Sequence, residues 1–262
     1  MPWLSVPDTR LYYQATGKGP AVVFAHGAGG NHVSWWQQVP YFARRYRCVT
    51  FDQRAFGRSH SPEEGPGRRA FADDLRQLLD HLGVETTALI AQSMGGRTAV
   101  GFALRNPGRV RALVLAGTTG GAVTDAVRAA QEEHRRSANG RLSLAKRAVS
   151  PRLRRERPDL HYLYRLIGRL NPERPADFLA PIPGYRGSSA QALAGLAIPI
   201  LFLVGEEDTI TPPHIVRMAH EQVPGSQFEV IERAGHSAYF ERAEEFNTRV
   251  LAFLQTAGWR AE

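Results

Sequence analysis

Ser93 stands where the apolar run Thr87-Ala-Leu-Ile-Ala91 passes into a helical pattern through Gln92-Ser93-Met94-Gly95-Gly96, with no spacer. A strand-to-helix turn this tight forces its central residue into strained backbone angles, and the small residues Ala91 and Gly95 on either side let strand and helix approach. The strain pushes the hydroxyl out at the carboxyl edge of a sheet, beside the free N–H groups and positive end of a helix. A serine held this way can act as a nucleophile, although a turn of small residues also serves packing alone. Asp208 ends the run Leu201-Phe-Leu-Val-Gly-Glu-Glu-Asp208, which puts a carboxylate just beyond a buried strand. His236, in Ala234-Gly-His-Ser237, follows the last strand candidate and precedes the final helix. Ser, Asp and His in this chain order, each past the carboxyl end of a strand, suit acyl transfer by one known arrangement of the three groups. Glu206 and Glu207 beside Asp208, and Asp125 after the preceding strand, are competing carboxylates.

One more turn belongs with these. His26-Gly-Ala-Gly-Gly30 follows the apolar run Ala21–Ala25 and can aim a backbone N–H at the same place. A dinucleotide-binding loop would need glycine at position 32, which is His32, so that reading fails.

The elements that must carry these residues alternate along the chain. Strand patterns occur at 11–15, 21–25, 47–51, 87–91, 111–116, 198–204 and 228–231. Helical patterns lie at 33–46, at 68–83 with Phe71, Leu75, Leu78, Leu79 and Leu82 at helical spacing, and at 241–254. This alternation predicts an α/β fold with a mostly parallel sheet and flanking helices. Residues 122–197 break it. They offer no strand, only helical patterns interrupted by Pro151, Pro158, Pro172, Pro175, Pro181 and Pro183. The expected organisation is a core of 1–121 and 198–262 with a helical insertion at 122–197.

Charge follows the same division. The 262 residues carry 33 Lys+Arg against 25 Asp+Glu, a net charge of +8. Residues 122–197 hold 14 basic and 7 acidic residues, so +7 belongs to the insertion and about +1 to the rest. Only Lys18 and Lys146 are lysines. Arg152, Arg154, Arg155 and Arg157 crowd around two prolines, either as a solvated face or as a basic rim that attracts an anionic substrate. No motif, aromatic platform or basic repeat supports a nucleic-acid partner. The lone Cys48 lies in a strand pattern and reads as an inert core thiol, which suits a reducing cytoplasm. Neither a leader nor an apolar run long enough to cross a bilayer is visible, so a cytoplasmic protein without a membrane partner is expected.

Taken in order, five segments resemble the α/β-hydrolase family, over nearly the whole chain. They are His26-Gly-Ala-Gly-Gly30, Phe51-Asp-Gln-Arg-Ala-Phe-Gly-Arg-Ser59, Ala91-Gln-Ser-Met-Gly-Gly96, Gly205-Glu-Glu-Asp208 and Ala234-Gly-His236. The resemblance implies Ser93 as nucleophile, His236 as its general base and Asp208 as the carboxylate that orients the imidazole. It also implies an oxyanion hole from the N–H groups of Ala28 and Met94, and a cap at 122–197 that shapes the pocket. No cofactor or metal is implied, and the substrate would be a small-molecule ester or lactone. His26 would hold the oxyanion turn. Arg54 and Arg58 read as loop anchors, and Trp35 and Trp36 either line the pocket or pack a helix on the sheet. His32, His60, His81, His134, His161, His214 and His220 read as surface or loop residues, with none at metal-binding spacing.

The chain departs from the family pattern at Ala91 and Ala55, both of which stand where glycine is usual. A serine nucleophile disfavours the dehalogenase and epoxide hydrolase chemistry that runs through an aspartyl ester. Hydrolysis of carbon–carbon bonds in ring-cleavage products ranks second, because Gln92 and Ser237 replace the Asn and Trp of those relatives. A non-catalytic small-molecule binder on the same fold is the reading from another class.

Overall fold

The computed structural model describes residues 2–62, 65–138, 143–175, 177–180 and 188–260. The chain opens with β1 (Trp3–Val6), β2 (Thr9–Thr16) and β3 (Ala21–Ala25), then a 3-10 turn at His32–Trp35, α1 (Val39–Phe42) and β4 (Arg47–Phe51). A second 3-10 turn at Gly67–Ala70 leads into α2 (Phe71–His81), β5 (Thr87–Gln92), α3 (Met94–Arg105) and β6 (Val110–Ala116). Next come α4 (Asp125–Ala138), α5 (Leu144–Arg147), α6 (Pro151–Glu156), α7 (Pro158–Arg169) and α8 (Ala190–Ala194). The chain closes with β7 (Ile200–Gly205), α9 (Pro213–His220), β8 (Gln227–Ile231), α10 (Ala238–Glu241) and α11 (Ala243–Thr256).

The strands form one sheet in the order β1-β2-β4-β3-β5-β6-β7-β8. The β1–β2 and β2–β4 pairings are antiparallel and the rest parallel. Every residue of β3, β5 and β7 is buried, which is why these strands read as unbroken apolar runs: helices cover both faces of a parallel sheet. Period-two alternation still sorts the side chains. Val22, Phe24, Ile90 and Val114 join the cluster on one face, and Val23, Leu89, Leu113 and Phe202 the cluster on the other.

Two sequence expectations are corrected. The helical pattern at 33–46 resolves into the 3-10 turn, capped by Asn31, and the short α1. Its buried residues Trp35, Phe42 and Tyr46 are at helical spacing, so the periodicity is real but the helix is not continuous. The pattern at 241–254 breaks at Arg242, whose φ of −129° and ψ of 53° separate α10 from α11. Two further elements, β1 and α9, lie where no element was expected.

Between β6 and β7 no described residue is in a strand. Pro151 and Pro158 open α6 and α7, where a missing N–H leaves no helical bond unmade. Val127 of α4 and Leu193 of α8 are fully buried in the cluster under α3, so this helical segment is rooted in the sheet packing. Pro181, Pro183, Arg141 and Arg186 lie outside the described residues. Among the described residues no helix is long and apolar enough to cross a membrane.

Candidate active site

β3 and β5 are neighbours, yet the chain leaves β3 for β4 on the other side. Turns that follow the carboxyl ends of two such strands diverge and leave a crevice between them. The His26–Gly30 turn and the Gln92–Met94 turn occupy that place. Ser93 has φ 51° and ψ −115°, a left-handed backbone that costs on the order of 1–3 kcal/mol in a non-glycine residue. Its N–H donates to the Ala116 carbonyl at 2.9 Å, which fixes the strained turn against β6. A Cβ on Gly95 would overlap the Ala25 carbonyl oxygen, so glycine is required where α3 crosses β3. Met94 opens α3, and an N–H in a helix's first turn has no acceptor within the helix. Ala91, the departure from glycine, is fully buried in β5 opposite Ala25 and Leu115, where its methyl is part of the core.

Asp208 and His236 follow β7 and β8. Asp208 Oδ1 accepts the N–H groups of Ile210 and Thr211 at 2.8 Å each, and Oδ2 lies 2.8 Å from His236 Nδ1. Both residues are buried. A carboxylate can only accept, so Nδ1 carries a proton, and in the neutral ring the lone pair is then on Nε2. The pair sits over Gly117, at φ 59° just after β6, where a Cβ would come within 3.1–3.3 Å of His236 and Asp208 atoms. The competing carboxylates are engaged elsewhere. Glu206 accepts the Arg233 N–H, Glu207 accepts from Arg152, and Asp125 is exposed beside Arg128.

The turn after β3 is braced from inside and outside. His26 is buried, with Nδ1 donating to the Gly27 carbonyl at 2.8 Å and Nε2 accepting the Gln53 N–H at 3.1 Å. Burial pushes it down to about 4, so it is a neutral strut. From outside, Asn171 accepts the Gly57 N–H at 2.8 Å and donates to the Gly29 carbonyl at 3.3 Å. Asn31 donates to the Ile167 carbonyl at 2.8 Å, and Tyr164 bonds Ser237, next to His236, at 2.9 Å. Helix α7 and the residues just after it are thus fastened to the turn after β3 and to the segment that carries His236.

These elements enclose a cavity of about 840 Å³ whose wall includes Ala28, Ser93, Met94, Tyr164 and His236. Among the described residues, eight arginines and a single acidic one, Glu132, also line it. An imidazole that opens into the same cavity as a strained serine and two backbone turns is equipped to move a proton and to stabilise an oxyanion.

A model of the alpha/beta hydrolase fold family matches residues 20–243. The chain belongs to the α/β-hydrolase fold family. Among curated relatives this α/β-hydrolase is 30% identical to a 2-hydroxy-6-oxononadienedioate/2-hydroxy-6-oxononatrienedioate hydrolase from Paraburkholderia xenovorans, over 94% of this chain and 91% of that one. Among solved structures it is similar to a thermophilic esterase from Thermogutta terrifontis, solved with malate bound (TM-score 0.78, 27% identity, 98% of this chain and 97% of that one). An N-acyl homoserine lactone degrading enzyme has the same TM-score of 0.78 at 28% identity, covering 96% and 100% of the two chains.

Within this α/β-hydrolase, Ala28, Ser93, Met94 and His236 reach one cavity, with Asp208 behind the histidine. Trp35 is buried against Tyr239 and Trp36 is exposed beside Phe240, and neither lines the cavity. Arg54 is the loop anchor expected, paired with buried Asp74 at 2.6 Å. His32 is not a surface residue: it is mostly buried and lies 2.8 Å from Asp52. His134 lines the cavity. Glu241 was missed altogether. It is partly buried, and desolvation pushes its carboxyl up to about 7, while its Oε1 accepts the N–H groups of Ser150 and Gly235. Its position in an apparent helix gave no sign of this.

Proposed function

We propose that this α/β-hydrolase is a serine hydrolase that cleaves a carboxylic ester or lactone through an acyl-enzyme. The observation that carries the reading is the buried Asp208–His236 pair, which opens with Ser93 into one cavity. Ser93 Oγ attacks the carbonyl carbon as its proton passes to His236 Nε2. Asp208 stabilises the imidazolium, and the N–H groups of Ala28 and Met94 hold the oxyanion, each worth about 10²–10³ in rate in comparable sites. As the bond to the leaving oxygen breaks, His236 returns the proton to it and the acyl group stays on Ser93. Water, activated by His236, then releases the acid by the same steps in reverse. Residues 122–197 act as the cap, with α7 forming one wall of the pocket.

The test is hydrolysis of short p-nitrophenyl esters by wild type and Ser93→Ala. Turnover that disappears in the variant supports the reading, and unchanged turnover overturns it. A fluorophosphonate probe separates the enzyme from a non-catalytic binder, which would form no adduct at Ser93.

A second reading, carbon–carbon bond hydrolysis, is favoured by the name of the 30% identical relative. Gln92 and Ser237 count against it. Gln92 donates to the His236 carbonyl at 3.4 Å, and Ser237 is engaged with Tyr164. Loss of the visible absorbance of a vinylogous diketone acid would favour it over ester cleavage.

A further inference from the structure

The net charge of this chain sits mostly in the insertion, and the cavity wall follows that division with two exceptions. Two of its eight arginines, Arg68 and Arg97, come from core elements. Arg68 lies in the 3-10 turn before α2, and Arg97 lies in the first turn of α3, four residues after Ser93. Arg128, 3.8 Å from Asp125, is the only one of the eight with a carboxylate in ion-pair range among the described residues.

Arg97 is exposed, and three features of its placement leave its charge uncompensated. A cation in the first turn of a helix opposes the helix dipole, and α3 has no acidic residue there to offset it. Its side chain runs along Gly121, whose absent Cβ would lie 3.1 Å from the Arg97 Cγ, and it ends in the cavity without a carboxylate partner. It also faces a like charge: the Arg68 guanidinium is held below its ordinary range by burial and then by Arg97. Arg68 is aimed by its bond to the Ala180 carbonyl and by stacking over Phe178 at 5.8 Å. Arg174 lies over the same ring at 5.8 Å. Arg97 is exposed and Arg68 partly exposed, so water can solvate both, but cations gathered on one cavity wall attract an anion, and guanidinium forks match a carboxylate in geometry.

Building on the serine hydrolase reading, we propose that Arg68 and Arg97 form a subsite for a carboxylate on the substrate, so that the preferred ester or lactone is anionic. Arg97 stands about one helical turn, ~5.4 Å along the axis, beyond Ser93. The substrate that fits this reading carries its carboxylate a short chain of carbons from the scissile carbonyl.

The experiment compares p-nitrophenyl butyrate with the p-nitrophenyl monoester of glutarate, which adds a terminal carboxylate at similar length. The quantity read is the ratio of kcat/KM for the anionic over the neutral ester. In wild type at low salt the ratio is expected to exceed ten, and to shrink as salt is raised. Arg97→Gln and Arg68→Gln should each lower it about tenfold, mainly through KM of the anionic ester. Arg155→Gln, the same charge change on an exposed part of α6 outside the cavity, should leave it within twofold. A ratio near one in wild type, or one that all three variants lower equally, overturns the subsite. A second measurement does not depend on turnover: glutarate should raise the melting temperature of Ser93→Ala protein more than inorganic phosphate does, and Arg97→Gln should remove that rise. A glutarate effect without ester turnover would overturn the hydrolase reading and leave the subsite standing. Turnover without a glutarate effect or a charge preference would do the opposite.

Discussion

His236 Nδ1 lies 2.8 Å from Asp208 Oδ2, and the other Asp208 oxygen is saturated by two backbone N–H groups. Asp208 therefore has one orientation, with Oδ2 left to accept from the ring. In Asp208→Asn the amide can present an N–H to the ring in place of an acceptor, which favours the wrong tautomer. Steady-state kinetics on a p-nitrophenyl ester should show kcat lowered about 10³–10⁴-fold with KM little changed. A loss confined to KM would mean that Asp208 shapes the pocket and does not orient the histidine.

Glu241 predicts a pH dependence of stability. The folded carboxyl is pushed up to about 7 by burial, against the ordinary 4.5 expected in the unfolded chain. Between those values the unfolded chain releases a proton that the folded one keeps. The contribution of this group is thus complete below 4.5 and is lost as pH rises toward 7, by roughly 3 kcal/mol in all. Glu241→Gln keeps an oxygen for Ser150 and Gly235 and cannot ionise. Its melting temperature should exceed wild type at pH 8 and converge with it toward pH 5. A constant offset at every pH would refute the assignment.

Ala55 has φ 67°, the left-handed conformation that glycine adopts freely and alanine does not. Ala55→Gly removes that strain but makes the unfolded chain freer, so the net gain should be about 0.5–1 kcal/mol. Urea unfolding is the check, and a destabilised variant would show that the methyl packs favourably.

The Arg54–Asp74 pair joins two groups that are each 2% exposed. Arg54→Leu strands a buried carboxyl whose proton affinity burial already raises, and should cost about 3–5 kcal/mol in denaturant titrations. The double variant Arg54→Leu/Asp74→Leu should recover most of that loss. If it does not, the pair does more than neutralise itself.

Residues whose signal is local were legible in the sequence. Ser93 and Asp208 each follow a run apolar enough to be a buried parallel strand, and His236 follows the half-buried edge strand β8, so their order along the chain placed them at one end of the sheet. Glu241 was not legible because its partner Ser150 lies 91 residues away and nothing near Glu241 marks it as partly buried. The strand β1 escaped notice for a related reason: it is a four-residue edge strand, half-exposed, with no apolar run. Arg68 and Arg97 were hidden by bookkeeping. Summed over the core, their charge is cancelled by carboxylates such as Asp73 and Asp80, which pair on the surface with Arg105 and Arg76. Ala55 was visible as a departure, but only the backbone angle turns it into a stability argument.

The bridge made by Asn171 carries a consequence for how such an enzyme diversifies. One side chain ties the end of α7 to the Gly29 carbonyl and the Gly57 N–H. A mutation that swings α7 outward to admit a bulkier substrate therefore tugs on the turn that carries Ala28. Pocket size and turnover rate are mechanically yoked at this point, and a lineage adapting to a new substrate would have to alter both together.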